Sequence, residues 1–564
     1  MRNLKDIALI VVLLVISAAP RLVGLGRFTS VDEPFWLRQG ANFYYAVGQR
    51  DFANTIYEYH PAVTTMWIIA AGMLAYFPNY RLLGQGYLKP GKFDLFLPAH
   101  GKDPLQLLVV SRGIQGLIVV ALLLLIFFLL RRLFDSRAAF LATVLISVSP
   151  FLLGHSRLLN HEALLGLLLI ISVLSLLLYL HDDPRFVLLL TSAVAGALAQ
   201  LSKSSGILLF PLVVLALAAT VAAAPGKARP SGARRAAKTL GVWLLVLAAS
   251  YVLFWPGMWV APGTMLYEVY GNALAYTFQG SRLSVLPGLD VGGFGLDTLL
   301  SGLRFYLSDL AWRTTPVTGL GLLFGVALAA AYQAKRTQFN YRLVFLCCSL
   351  LAAAFVLMFS IQRGPKPPHY ILTAYICLDL IAGLGFSKAL DGLARRVPRL
   401  AAPGIPWAIV GLLAAAQLTS SSASYPYYIS YYNPLVQVLQ PGSQNPTLDV
   451  TGYGMGLDQA AAYLSQKADA RELTVMSANG YGCFSYYFPG HTIPMNNLIL
   501  SDPEIAGILR TTQYAVVDFY NQRNANLVSD FERIQPEKTI VVNGIDFLRI
   551  YRTADLLPAV QASP

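Results

Sequence analysis

Two adjacent carboxylates, Asp32 and Glu33, stand in "FTSVDEPFWLRQG" (28–40), a few residues after the first apolar run of the chain. Further along, "YEYHPAVTTMW" (57–67) carries His60, and "HSRLLNHEALL" (155–165) carries His155, Arg157, His161 and Glu162. "LSKSSG" (201–206) holds Lys203, and "QRGPKPPHYIL" (362–372) holds Arg363, Lys366, His369 and Tyr370. Each group falls at the end of an apolar run. A carboxylate can take a proton from a hydroxyl as that hydroxyl attacks an electrophilic carbon. Lysine and arginine can stabilise the charge that builds on a departing phosphate. Together these residue types suit glycosyl transfer from a lipid phosphate, which needs no nucleotide-binding motif. Each also has a plainer reading. A lone Lys203 at a helix end can be an interfacial anchor that snorkels, the histidines can be polar packing residues, and boundary Tyr and Trp form an aromatic belt. An acidic pair directly after a span resists such a reading, because acids contribute little to orientation and are costly near lipid.

The elements that position these residues are membrane helices. The chain is 56% hydrophobic and 13% charged, with mean hydropathy +0.55, about half the charged share of an ordinary soluble domain. Apolar runs occur near 7–24, 113–130, 138–151, 163–180, 186–201, 206–224, 240–255, 315–333, 343–360, 370–386 and 405–420. Eleven spans predict a polytopic α-helical membrane protein, since separate spans satisfy their backbone groups only as helices. "MRNLK" gives the first run a basic start, but "APRLVG" continues into the carboxylates without a small-residue cleavage site, so it reads as a retained helix.

Orientation turns on the segment 62–77. If it spans, the basic loops "RRLFDSR" (131–137) and "GKARPSGARRAAK" (226–238) fall outside, against the positive-inside rule. Read as a short interfacial or re-entrant helix, it puts both inside, together with "AKRTQFNYR" (334–342) and "SKALDGLARRVPR" (387–399). The amino terminus is then cytoplasmic, and 25–112, 152–162, 202–205, 256–314, 361–369 and everything after 420 lie outside. The first outer loop carries Arg27, Arg38, Arg50, Arg81, Lys89, Lys92 and Lys102. These charges are suited to an anionic partner.

Two domains follow: a transmembrane catalytic domain over 1–420, with interfacial helices in 25–112, and an extracytoplasmic α/β domain over 421–564. The second has 8 Lys+Arg against 12 Asp+Glu, so it is acidic while the rest is strongly basic. "LTVMSA" (473–478) and "YAVVDFY" (514–520) read as strands, and "LDQAAAYLSQKA" (457–468) as a helix. "KTIVVNGIDFLRIYR" (538–552) reads as a hairpin turned at Asn543-Gly544. Of four cysteines only Cys483 is placed outside, so no disulfide framework is expected. There is no P-loop, zinc spacing or internal repeat, and no nucleic-acid partner is expected.

These motifs, in this order, resemble the GT-C glycosyltransferases, and among them a bacterial branch of the protein O-mannosyltransferase and aminoarabinose (lipid A) transferase family. "VDEPFW" and "YHPAVTTMW" resemble segments of the family's first outer loop. "SRLLNHEALL" resembles its SRL-x-x-x-D-ALL segment with Glu162 in place of Asp, and "LSKSSGILLFP" its lysine segment without the following glycine. "PKPPHYIL" resembles its K-x-P-x-Y-x-L segment; "YPYYISYYNPL" (425–435) and "GLDQAAAYL" (456–464) look like the bacterial branch. The resemblance implies transfer of a sugar from a polyprenyl-phosphate donor to a protein hydroxyl, lipid or glycan, with inversion, on the extracytoplasmic face. It implies Asp32 as general base, Glu33 as supporting acid and Glu162 as second acid. Arg157, Lys203, Arg363, Lys366 and Tyr370 become candidates for the donor phosphate, with Arg157 also able to hold Glu162. His60 and His369 become substrate or metal candidates; no cofactor is required, and a divalent metal is left open.

A secondary transporter or lipid flippase is the rival expectation. It predicts ionisable residues near the bilayer midplane and two symmetric halves, whereas the charges here gather at outer helix ends. A scaffold that only displays the outer domain would leave those charges without a task.

Overall fold

Every one of the eleven apolar runs becomes helix in the computed structural model. It describes residues 2–181, 183–223, 225, 229–283, 295–330, 336–364, 366–402, 404–439, 453–495, 503–518 and 534–562. In chain order the first helices are α1 (Arg2–Leu22), α2 (Glu33–Gln49), α3 (Val63–Tyr76), α4 (Lys92–Ala99) and α5 (Pro104–Leu133). Next come α6 (Ser136–Ser147), α7 (Pro150–Arg157), α8 (Glu162–His181), α9 (Phe186–Ser202), α10 (Leu209–Ala223) and α11 (Arg229–Phe254). Three short helices, α12 (Gly257–Val260), α13 (Pro262–Leu266) and α14 (Asn272–Gln279), lead to α15 (Leu296–Arg313). The membrane part closes with α16 (Pro316–Ala330), α17 (Arg336–Ile361), α18 (Leu372–Arg396) and α19 (Ile405–Ser422).

Among the described residues, seven helices are long and apolar enough to cross a membrane, or nine if each of two bent pairs counts as one span. The chain is therefore a polytopic α-helical membrane protein, with fewer unbroken spans than apolarity alone suggests. Apolarity does not register length or bends. Helix α9 has only 17 residues; α6 and α7 meet at 63°, and α15 and α16 at 112°. At 14 residues, α3 extends roughly 21 Å, short of the roughly 30 Å hydrocarbon core, as the reading of 62–77 requires.

The break before Pro150 has a clear cause. A proline at the start of α7 cannot continue the hydrogen-bond ladder of α6. The freed carbonyls find side chains: Arg21 Nη2 donates to Ser147 O at 2.7 Å, and Ser421 Oγ donates to Val148 O. The redirected chain runs through α7 to Glu162. Helices α8 and α18 are the most enclosed spans. Small residues let α18 approach α16 closely; a Cβ on Gly385 would stand 2.5 Å from Gly321 O. The interior holds more charge than the outer-end reading allows. Asp379, within α18, accepts from Thr318 Oγ1 at 2.6 Å, and Asp309 pairs with Arg313 at 2.7 Å while accepting from Tyr375 Oη at 2.7 Å.

The carboxyl-terminal domain is built on a five-stranded sheet: β1 (Thr474–Ser477), β2 (His491–Pro494), β3 (Tyr514–Asp518), β4 (Lys538–Val542) and β5 (Ile545–Arg552), in the order β2-β1-β3-β5-β4. Strand β1 is parallel to both β2 and β3, whereas β5 is antiparallel to β3 and β4. The expected hairpin is present. Asn543 and Gly544 both have positive φ, 51° and 83°, which a tight two-residue turn between twisted strands demands. The helix expected over 457–468 is Leu457–Leu464, and residues 519–520 of the expected strand 514–520 lie outside the described residues. The one strand not anticipated, β2, is four residues containing His and Pro, too short to show an alternation of its own.

This domain packs directly on the loop that carries Asp32. Tyr487 Oη and Thr29 Oγ1 are 2.8 Å apart, and Val31 N donates to Tyr453 O at 3.3 Å. Gly482 lies against Pro34 with φ +84°, and a Cβ there would come within 2.2 Å of the proline ring. Gly482→Ala should therefore separate the domain from this loop without unfolding the membrane helices. Limited proteolysis in detergent should show the carboxyl-terminal domain cleaved away faster than in the wild type, with helical circular dichroism unchanged.

Candidate active site

The two neighbouring carboxylates have opposite surroundings. Glu33, fully buried, accepts from Arg112 Nε at 2.7 Å and Nη2 at 2.5 Å, from Ser30 N at 2.8 Å and Oγ at 3.1 Å, and from Leu159 N at 2.8 Å. Arg112 spends its remaining donors on the carbonyls of Leu25, Arg27 and Phe28. Glu33 thus has no lone pair to spare for a substrate. The motif resemblance implies a supporting acid at Glu33; the structure places it instead as the anchor of the turn.

Asp32 is the residue just before α2, where an aspartate usually accepts from the first N–H groups of the helix. Here it makes no such bond, and Pro34 removes one of the donors. The residue as a whole is half-buried. Burial, and next the adjoining Glu33, push the Asp32 carboxyl up to about 6, with the Lys203 cation acting in the opposite direction.

Facing Asp32 is a buried ion pair. Lys203 Nζ donates to Glu162 Oε1, with the lysine 1% and the glutamate 2% exposed. Asp32 and Glu162 feel each other's charge, and Lys203 feels both. Lys203 gets there because α9 ends at Ser202 and the chain extends before the next turn (φ −153°, ψ 141°). Its ammonium lies 3.5 Å from the centroid of the Tyr370 ring, a cation–π contact. Glu162 begins α8, its N–H donating to Asn160 Oδ1 at 2.7 Å.

Four of the chain's seven histidines converge here. His60 and His161 have ring centroids 5.3 Å apart, as do His155 and His369. His369 Nδ1 contacts Tyr453 Oη from the carboxyl-terminal domain, and Trp36 stands edge-on to His161 at 5.1 Å. Neither ring nitrogen of His60 has a hydrogen-bond partner among the described residues. Burial first, and then Lys203, hold His60 well below the ordinary imidazole value, so it is neutral near pH 7. The structure does not fit these histidines to a metal. Among the described residues no three His, Cys, Asp or Glu side chains are grouped as a metal ion would require.

A cavity of about 240 Å³ opens beside Lys203, lined by Tyr59, His60, Tyr270, Phe359 and Tyr370 among others. Ile207 and Leu274 in its wall are 44% and 49% exposed, so it opens to the surface between the 203–207 turn, α14 and α17. A second, almost entirely apolar hollow of about 400 Å³ lies beside α3, with Thr64, Trp67, Leu164, Leu201 and Phe254 in its wall.

The remaining expected residues are placed differently. Arg157 reaches neither Glu162 nor the cavity: it donates to the carbonyls of Pro20 and Gly24 and lies over the Tyr425 and Tyr428 rings. Lys366 donates to Gln362 O at the end of α17, and Arg363 is exposed. Arg112 escaped the sequence reading because a single arginine near the start of an apolar run looks like an interfacial anchor. Tyr59, Tyr453 and the Glu58–Arg282 pair also escaped it; nothing in their local sequence signals the site.

Residues 108–255, which include Glu162 and Lys203, match the family model described as dolichyl-phosphate-mannose-protein mannosyltransferase. That stretch holds two of the motifs that resemble the family, "SRLLNHEALL" and "LSKSSGILLFP". Among solved structures, ArnT from Cupriavidus metallidurans bound to undecaprenyl phosphate is similar over 98% of this chain and 98% of its own, at 15% identity and TM-score 0.46. The Archaeoglobus fulgidus oligosaccharyltransferase in the apo form is similar over 91% of this chain and 69% of its own, at 15% identity and TM-score 0.48. AglB from Archaeoglobus fulgidus with an inhibitory peptide and a dolichol-phosphate covers 94% and 72%, at 14% identity and TM-score 0.47. No curated protein matches.

Removing one member of a buried pair leaves an uncompensated charge, at a cost of about 3–5 kcal/mol. Lys203→Met should lower the thermal midpoint in detergent more than the double variant Lys203→Met/Glu162→Gln, which removes both charges. The same measurement should find Glu33→Ala strongly destabilised and Asp32→Asn near wild type.

Proposed function

We propose that this protein is an integral-membrane glycosyltransferase that moves one sugar from a polyprenyl-phosphate donor to an acceptor hydroxyl on the extracytoplasmic face. One observation carries the reading: the Asp32 carboxylate, with no side-chain capping bond, lies within electrostatic reach of the buried Glu162–Lys203 pair, and Lys203 lines an apolar cavity. A donor with its chain in that cavity has its phosphate beside Lys203 and its first sugar toward Asp32. Asp32 takes the proton of the acceptor hydroxyl as the oxygen attacks the anomeric carbon. The bond from that carbon to the phosphate oxygen breaks, and its electron pair leaves on the phosphate. Lys203 stabilises the charge by exchanging Glu162 for the phosphate. A single displacement of this kind inverts the anomeric centre. Tyr370 holds the lysine in line, and neutral His60 offers nitrogens to sugar or phosphate. Glu33 fixes the turn and takes no proton.

With purified protein and a panel of polyprenyl-phosphate sugars, release of lipid phosphate should require Asp32. Asp32→Asn should reduce turnover by roughly 10²–10⁴-fold, the usual contribution of a general base. Retention of wild-type turnover in a folded Asp32→Asn protein would refute the assignment. The base must be ionised to act, and its carboxyl titrates at about 6. Wild-type kcat/KM should therefore rise with pH to a plateau above that value and fall about tenfold per unit below it. Asp32→Asn should lack that limb.

A further inference from the structure

The turn 453–456, just before the helix Leu457–Leu464, carries one bond to the loop of Asp32 and another to the segment behind Lys203. Tyr453 has φ 40° there, a left-handed backbone that a bulky residue rarely adopts. Gly454 follows at φ +80°, and a Cβ on it would stand 2.7 Å from Thr29 O. This strained turn brings the two ends of Tyr453 to different parts of the membrane domain. Its carbonyl accepts at 3.3 Å from the N–H of Val31, the residue directly before Asp32. Its hydroxyl is hydrogen-bonded to His369 Nδ1. The turn itself is braced from behind: Leu457 N donates to Gly454 O at 3.3 Å, and Asp458 Oδ1 accepts from Tyr427 Oη at 2.6 Å.

The His369 end leads to the lysine. His369 and Tyr370 are neighbours in one short 3-10 helix, Pro368–Ile371, with their rings edge-on at 5.2 Å. The centroid of the Tyr370 ring in turn lies 3.5 Å from the Lys203 ammonium. The Glu33–Arg112 clamp does not serve this segment: its bonds go to Ser30, Leu159 and the carbonyls of Leu25, Arg27 and Phe28. Tyr453 supplies what that clamp lacks, a link from the loop of Asp32 to the aromatic ring behind Lys203. A residue that only packed the domain in place would need neither the hydroxyl bond nor the left-handed backbone. Apolar docking is already provided by the Phe28–Tyr427 ring contact at 5.4 Å and by Gly482 on Pro34. Backbone strain kept at such a junction points to a task beyond packing.

We propose that Tyr453 is a positioning residue: through it the carboxyl-terminal domain sets the loop of Asp32 and the Tyr370 backing of Lys203 relative to each other. The proposal rests on the transferase reading, and one of its tests needs no turnover. Tyr453→Phe removes the hydroxyl and keeps the backbone bond to Val31. With the full chain in detergent and a polyprenyl-phosphate sugar as donor, it should lower kcat at least tenfold. KM for the donor should change by less than about twofold, the pattern of an interaction used in the transition state, because neither Tyr453 nor His369 lines the cavity beside Lys203. The acid limb that belongs to Asp32 should stay at about 6. In a His369→Ala background Tyr453→Phe should cost nothing further, since residues that act through one another are not additive. The thermal midpoint and the protease resistance of the domain should match the wild type. With no donor present, ¹⁵N-histidine NMR should show the His369 Nδ1 resonance moved by Tyr453→Phe and those of His100 and His491 unmoved. Wild-type kcat in Tyr453→Phe, or a loss that adds in full to that of His369→Ala, would overturn the proposal. So would an unmoved Nδ1 resonance, or a domain released to protease by Tyr453→Phe, which would make the residue packing alone. Failure of the wild type to turn over any polyprenyl-phosphate sugar would sink the transferase reading. Turnover that ignores Tyr453→Phe would sink this proposal and leave that reading standing.

Discussion

The buried pair of Glu33 and Arg112 is the constraint on which the site depends. Five hydrogen bonds converge on the Glu33 carboxylate, from Arg112, Ser30 and Leu159. Arg112 belongs to α5, and its other donors hold the carbonyls of Leu25, Arg27 and Phe28. One ion pair therefore ties the turn that presents Asp32 to a long span, and through Leu159 to the turn that presents Glu162. Such a pair adds little net stability over an apolar packing of equal volume, but it is severely damaging to break. Its consequence is geometric: two acids 130 positions apart in sequence are set by a single clamp.

That division of labour explains why two carboxylates stand side by side. Glu33 saturates its oxygens and becomes structure. Asp32, whose own backbone is helical (φ −83°, ψ −24°), makes no capping bond, and is raised in pKa by burial and by the carboxylate beside it. A carboxyl that titrates near 6 is ionised at neutral pH yet a better proton acceptor than an ordinary aspartate. The opposite wall is held in reserve by the same physics: Lys203 is neutralised by Glu162 and backed by Tyr370, so its charge is stabilised before any anion arrives.

The carboxyl-terminal domain is part of this arrangement. Tyr453 reaches His369, Tyr487 reaches Thr29, and Gly482 admits Pro34 at a distance no other residue would allow. The sheet itself is remote from the chemistry. It holds the 480–487 segment against the loop of the membrane domain that carries Asp32.

The amino-acid sequence alone determined the membrane class, the helical nature of each apolar run, the sheet domain with its Asn543-Gly544 turn, and the residues Asp32, Glu162, Lys203, His60, His369 and Tyr370 that converge. These are legible because apolar run length, turn chemistry and a charge beside lipid are each local and costly to misplace. Tertiary structure alone decided which charge faces which. It turned Glu33 onto Arg112, sent Arg157 to the carbonyls of Pro20 and Gly24, paired Lys203 with Glu162, and brought Tyr453 to His369. It also decided the bends of α6–α7 and α15–α16. The physical reason is that an ion pair or hydrogen bond depends on distance and direction between segments far apart in the chain, and residue type and spacing carry neither.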